Sequence, residues 1–461
     1  MLQIRSPYDQ HLITEIALQG IDDATAALSV AHHLFAERSN WLPAWQRIEI
    51  LGRVVTIMNT RIEELTSMAA AEGGKPYTDS KVEVIRAVNS VKLAAEYISH
   101  LTGEQVPMGI NKASENRIAF TTREPIGVVF AICAFNHPLN LVVHQTVTAI
   151  ASGCPVIIKP ASSTPLSCLN FINILTEAGL PKGWCQSLLC KSDVAEQLVT
   201  DNRISYLSFI GSAKVGWRLR SKLAPGIRCS LEHGGAAPVI VEKDADIDEL
   251  VPALLKGGFY HAGQVCVSVQ RIFVQEDMCE TVCNRLVAGA EKLIVGDPLD
   301  PQTEVGPLIS GSEVDRVEEW VNEAIEKGAQ LLCGGKRISN SCYQPTVLLN
   351  PSADVRVSTH EIFGPVVCVY AYSDREAAIR AANALDLHFQ AAVFTKNIDT
   401  ALDCVRKLNA TSVMVNDHTA FRVDWMPFGG RDASGLGMSG IPYTMREMTR
   451  EKMMVIKSMA L

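Results

Sequence analysis

The chain has 461 residues, 47% hydrophobic and 20% charged, enough for two or three domains of about 150 residues whose cores need no disulfides. A formal charge of −8 argues against a polyanion-binding surface, so no nucleic-acid partner is expected. Thirteen cysteines without a repeating spacing, and no CxxC or HExxH pattern, point to reduced thiols in the cytoplasm and to no metal site.

The N-terminus "MLQIRSPYDQ" carries no signal-peptide apolar core. The first hundred residues read as helices. In "QRIEILGRVVTIMNTRIEELTSMAAAE", Ile48, Leu51, Val54, Val55, Met58, Ile62 and Leu65 recur at three- and four-residue steps and predict one apolar stripe. Gly, Pro and Asn then break the pattern, and "RIAFTTREP" reads as an exposed strand of a projecting hairpin. The longest apolar run, Ile126 to Phe135, falls short of the roughly 20 residues a membrane span needs, so no membrane partner is expected. From that run onward short apolar strands alternate with helices: "CPVIIKP", "ISYLSFIGS" before "AKVGWRLRSKLA", "IRCSLEHGG" and "APVIVEKD". Such alternation predicts an α/β fold with parallel sheets. A second α/β region follows, with "RIFVQ" and "CVYAY" as strands and "DRVEEWVNEAIEKGA" as a helix. The end, "MTREKMMVIKSMAL", is strand-like and needs an edge to join.

Several strand ends carry polar residues with two readings each. "SFIGSAKVGWRL" turns through Gly211 and Ser212 into a helix holding Gly216. That is either a plain tight turn or a phosphate cradle at a helix N-terminus, though not the full three-glycine fingerprint. Lys159 in "IIKPASSTP" is a solvated loop lysine or a ribose ligand beyond a strand end. Asn136 in "AFNHPLN" caps a turn or aims its amide at an oxyanion, and His137 beside it is a packing residue or a donor. Glu232 in "SLEHGGAAP" bonds turn amides or acts as a general base. Cys266 in "FYHAGQVCVSVQRIFV" is a small buried hydrophobe or a nucleophile, and no neighbour in sequence lowers its pKa.

The words "FNHP", "KPASSTP", "FIGSAKVG", "LEHGG", "GQVC", "EIFGP" and "PFGGRDASGLG" occur in that order along the chain. Together they resemble the aldehyde dehydrogenase superfamily over essentially the whole length. The resemblance implies an α/β fold with a Rossmann-like cofactor domain (1–102 and 124–231) and an α/β catalytic domain (232–432). A small β oligomerisation arm (103–123 and 433–461) would complete it, with a homodimer or homotetramer as the assembly. It implies that Cys266 attacks an aldehyde, that Asn136 and the Cys266 amide hold the oxyanion, and that Glu232 activates the hydrolytic water. It places NAD or NADP on Lys159, Gly211, Ser212 and Gly216, with Glu361 on the nicotinamide ribose and Phe363 against its ring.

Departures from the family pattern sharpen the expectation. Where NAD-preferring members often carry a glutamate, this chain has Ser162, which does not repel a 2′-phosphate, so NADP is admitted beside NAD. Phe135 and Ile210 replace a usual Trp and Thr without touching the chemistry. "FNHPLN" and "FRVDWMPFGG" resemble branches acting on small polar or anionic aldehydes, with Arg422 and His137 as substrate ligands. For Arg422 an ion pair is the competing role. Val265 stands where phosphate-using relatives often carry an arginine, which favours a neutral or singly charged substrate. A coenzyme-A-acylating enzyme is the alternative within the family, opposed by the presence of Glu232. A catalytically silent cofactor-binding member is the other, opposed by Cys266 and Glu232 together.

Overall fold

The computed structural model describes residues 1–461. Strand Val128–Ile132 is buried almost throughout, as are Val156–Lys159 and Pro238–Val241. Such continuous Val/Ile runs suit strands covered on both faces, which is the environment of a parallel sheet flanked by helices. Two sheets result. The first orders Cys185–Ser187, Val156–Lys159, Val128–Ile132, Ile204–Ile210, Arg228–Glu232 and Gly435–Leu436, parallel except at the last pair. The second orders Gln330–Cys333, Thr346–Leu349, Val366–Tyr372, Arg271–Gln275, Pro238–Val241, Gln390–Phe394 and Ser412–Val415, antiparallel only at its first pair.

In the first sheet the chain winds outward from Val128–Ile132 in both directions, so the topological switch point lies between that strand and Ile204–Ile210. Open α/β sheets bind ligands beyond the carboxyl ends of strands at such a point. Asn136, Lys159, Gly211 and Glu232 all follow or end strands of this sheet at that edge.

The α/β expectation holds, and three local expectations are corrected. The first hundred residues open with a two-stranded antiparallel pair, Leu2–Arg5 with Leu12–Ile16, before the helices begin. The long apolar stripe is two helices, Ala44–Thr60 and Ile62–Gly73, broken at Arg61. Ile48 is exposed and Ile50 takes the core position, because the helix turns Ile50, Leu51, Val54 and Met58 inward. "RIAFTTREP" is strand Arg117–Pro125, but its main partner is the C-terminal strand Thr449–Lys457, with only Gln105–Val106 on its other side. Gly435–Leu436 joins the first sheet, and helix Ile441–Glu447 buries Ile441 and Met445 in the core around helix Asn140–Ser152. In the expected arm segment 433–461, Thr449–Lys457 is the part that joins the separate three-stranded sheet with Arg117–Pro125 and Gln105–Val106.

Buried carboxylates fix the helices behind the site. Glu83 accepts the amides of Leu139 and Asn140 at 2.9 and 3.0 Å, satisfying orphan N–H groups where helix Asn140–Ser152 begins. It also pairs with Lys75, and the two side chains are 0% and 1% exposed. Glu72 accepts from the Leu166 and Ser167 amides at 2.7 and 2.8 Å in the same way. Removing one member of a buried pair leaves the other charged and unpaired. Lys75→Met is therefore expected to destabilise the protein by about 3–5 kcal/mol. Lys81→Met, at an exposed pair with Glu63, should change stability by under about 1 kcal/mol. Denaturant unfolding of both variants checks the contrast.

Candidate active site

A cavity of about 530 Å³ opens between the two sheets and is walled by both. From the first sheet come Phe135, Asn136 and His137 beyond Val128–Ile132, Gly211 and Ser212 beyond Ile204–Ile210, and Glu232. From the second side come Cys266, Glu361, Phe363, Arg422 and Phe428. Most of the residues singled out from the sequence thus meet in one space.

Cys266 is half-buried and faces the cavity at the end of a kinked turn, Tyr260–Gly263. His261 and Ala262 adopt φ of 49° and 53° there, a left-handed conformation that non-glycine residues rarely hold unless their surroundings impose it. Gln264 secures the segment: its side chain accepts the Ile309 amide at 2.9 Å and donates to the Pro307 carbonyl at 3.1 Å. The Asn136 Nδ2 donates to the Gln264 carbonyl at 2.9 Å. An amide nitrogen carries two hydrogens, so one remains for another acceptor.

Burial pushes the Cys266 thiol up to about 12, with Glu232 and Glu361 adding to the rise and Arg422 opposing it. Cys266 rests as the thiol. Burial, and then the Lys75 charge, hold His137 well below the usual histidine range, so its imidazole is neutral; Tyr260 Oη lies 3.3 Å from its Nε2.

The walls fit a dinucleotide. One oxygen of Glu361 is buried without a partner, and burial raises its carboxyl to about 8 against the Gly235 amide and Arg316. At Gly234 a Cβ would sit 1.8 Å from the Glu361 carboxylate, so only glycine leaves that approach open. Phe363, at φ 49°, meets the Phe135 ring edge-on at 5.9 Å. The structure does not bring three expected cofactor ligands to the wall. Gly216 packs instead against His233, whose Nε2 lies 2.1 Å from where a Cβ would project. Lys159 is buried and bonds the Pro160 carbonyl at 3.3 Å, and Ser162 is exposed in the following turn, leaving Ala161 as the lining residue.

Arg422 makes no ion pair, so the competing role expected for it is not observed. Its guanidinium lies 3.6 Å above the Phe428 ring centroid with its Nε unpartnered, and burial lowers its pKa while Glu232 opposes. Arg86 and Tyr260 also line the cavity, and no local pattern marks either as a site residue. Arg86 is held by Asp424, at 2.7 and 3.2 Å, and His144 Nε2 reaches the same carboxylate at 2.9 Å. Burial pushes Asp424 up, but the His144 bond and the charges of Arg86 and Arg422 outweigh it and keep the group ionised.

A cysteine, a carboxylate and an amide donor share one cavity with a dinucleotide-sized wall. The family model for the aldehyde dehydrogenase family matches residues 1–454. The chain belongs to the aldehyde dehydrogenase family. It is 38% identical over 457 residues to the 3-sulfolactaldehyde dehydrogenase of Priestia aryabhattai, covering 99% of this chain and 94% of that protein. Aldehyde dehydrogenase 21 of Physcomitrella patens, solved with the reaction product succinate, superposes with a TM-score of 0.96 at 34% identity, covering 99% and 95% of the two chains. The glyceraldehyde-3-phosphate dehydrogenase GapN of Methanocaldococcus jannaschii, solved with NADP, superposes at 0.95 with 36% identity and 99% coverage of each chain. This aldehyde dehydrogenase is accordingly an NAD(P)-dependent oxidoreductase.

A thiol raised to about 12 reacts through a thiolate fraction that grows tenfold per pH unit below that value. Alkylation of Cys266 by iodoacetamide in the cofactor-free enzyme, followed by peptide mass mapping, should keep accelerating well above pH 9. A plateau by pH 9 would contradict the environment described.

Proposed function

We propose that this enzyme oxidises a small aldehyde bearing one anionic group at its far end, and releases the carboxylic acid. The observation that carries the reading is the unpaired Arg422 guanidinium in the same cavity as Cys266. The charge of Arg86 is offset by Asp424, and Val265 adds no further cation before the cysteine. One guanidinium without a carboxylate partner matches a carboxylate or sulfonate better than a phosphate dianion. His137, neutral, would add a hydrogen bond to a hydroxyl near the aldehyde carbon.

The Cys266 sulfur attacks the aldehyde carbon as its thiolate, the thiol proton having passed to solvent. The free hydrogen of the Asn136 amide and the Cys266 backbone N–H receive the developing oxyanion; elsewhere such a donor is worth roughly 3–4 kcal/mol. NAD or NADP supplies the hydride acceptor. Glu361, Phe363, Gly211 and Ser212 would hold and orient the cofactor, with Lys159 and Ser162 as the residues that would meet its adenosine ribose. Phe135, Phe363 and Phe428 limit water around the thioester. Glu232 then takes a proton from the attacking water, and Cys266 leaves as the thiolate. The alternative of transfer to coenzyme A has no observation in its favour.

The cofactor domain (1–102 and 124–231), the catalytic domain (232–432) and the arm are read as separate functional units. The arm strand exposes Met453, Met454, Val455 and Ile456 on an open sheet edge, which suits pairing in a homodimer or a homotetramer of two dimers. Thirteen free cysteines fit a reducing cytoplasm. No helix is long and apolar enough to cross a membrane.

Loss of charge-assisted bonds from one guanidinium costs about 1.5–3 kcal/mol, or roughly 10- to 100-fold. Arg422→Met is expected to lower kcat/KM by that much for succinic semialdehyde and 3-sulfolactaldehyde, chiefly through KM, while changing propanal oxidation little. NAD(P)H formation at 340 nm reads the effect. An equal loss for propanal would exclude Arg422 as the anion ligand.

A further inference from the structure

Ser439 belongs to none of the roles assigned so far. It lies between strand Gly435–Leu436 and helix Ile441–Glu447 and is buried. Its backbone is fixed by two reciprocal bonds. The Phe428 amide donates to the Ser439 carbonyl at 2.9 Å, and the Ser439 amide donates to the Phe428 carbonyl at 2.6 Å. From that position its hydroxyl donates to Oε1 of Glu232. This is the one hydrogen bond the Glu232 carboxylate receives within the protein.

We propose that Ser439 is a positioning residue for the hydrolytic half of the reaction, an inference that rests on reading Glu232 as the base. Glutamate has three rotatable bonds, and a half-buried carboxylate beside an open cavity has no packing to select one geometry. The Ser439 hydroxyl supplies the selection. With Oε1 occupied, Oε2 faces the water that attacks the thioester. In that step the water oxygen bonds to the carbonyl carbon, Glu232 takes the water proton, the carbon–sulfur bond breaks, and Cys266 departs as the thiolate. Phe428 connects the device to substrate recognition: its ring underlies Arg422 and its backbone holds Ser439. The distance from the anion site to the base is thereby set by one short bridge.

The test uses p-nitrophenyl acetate, which acetylates Cys266 with release of nitrophenolate, leaving an acetyl thioester that water must cleave. It requires neither the aldehyde nor the cofactor. Wild type, Ser439→Ala, Ser439→Thr and Glu232→Gln are compared by burst kinetics at 400 nm and by intact mass. The expected result for Ser439→Ala is an unchanged burst amplitude and rate, with steady-state release slowed about tenfold, a fraction of what a general base contributes. Acetylated enzyme accumulates to match. Ser439→Thr, which keeps the hydroxyl, restores the deacylation rate. If Ser439→Ala deacylates at the wild-type rate while Glu232→Gln is slow, the base assignment stands and the proposal falls. Wild-type deacylation by Glu232→Gln overturns the base assignment and the proposal with it. Equal slowing of burst and steady state in Ser439→Ala assigns the hydroxyl to general site integrity and overturns its positioning role.

Discussion

The bond from Asn136 Nδ2 to the Gln264 carbonyl spans the seam between the two sheets, and the chemistry depends on it. Asn136 follows the central strand of the first sheet, while Gln264 stands two residues before Cys266 on the other side. The bond fixes where the nucleophile lies relative to its oxyanion donor and orients the amide so that its second hydrogen faces the cavity. The same seam explains why glycine occupies positions 234 and 235. A Cβ at Gly234 would meet Glu361, and one at Gly235 would come within 3.1 Å of the Cys266 carbonyl oxygen. The chain passes from Glu232 to the second sheet through a gap that admits backbone only.

Strain and buried charge gather at this seam. His261, Ala262 and Phe363 hold left-handed backbone conformations, each costing roughly 1–3 kcal/mol. Glu83, Glu72 and Asp424 are carboxylates almost wholly withdrawn from solvent, yet each is satisfied: Glu83 and Glu72 by helix amides, and Asp424 by Arg86 and His144. These interactions have geometric consequences that apolar packing would not have. Glu83 sets the start of the helix after Asn136, and Asp424 ties the loop carrying Arg422 to helix Tyr77–Tyr97 through Arg86. A preorganised site requires such directional supports.

What could be read from the chain alone follows the range of the interactions involved. Strand ends with their polar residues were legible, because an apolar β-branched run stopping at Asn, Glu or Gly is a local pattern. Glu232 and Asn136 were legible in that way, Cys266 had two readings that the resemblance decided, and Glu361 and Phe363 came from the resemblance alone. Arg86 and Ser439 were not, since their partners Asp424 and Glu232 lie 338 and 207 positions away and neither sits in a distinctive local stretch. Gly216 shows the same limit: a Cβ there would meet the His233 ring, just beyond a neighbouring strand and distant in sequence. The exchange of Ile48 for Ile50 at the core face has a simpler cause: the helix phase was read from a stripe that Arg61 in fact interrupts.

The central claim is that Cys266 carries the acyl group and Glu232 removes it. It is tested most directly by giving Glu232→Gln enzyme a small anionic aldehyde with NADP and measuring both cofactor reduction and protein mass. The account predicts one equivalent of reduced cofactor per active site, followed by near arrest, with the acyl mass located on the peptide containing Cys266. Sustained turnover at the wild-type rate, or reduced cofactor without an acyl adduct on Cys266, would contradict it.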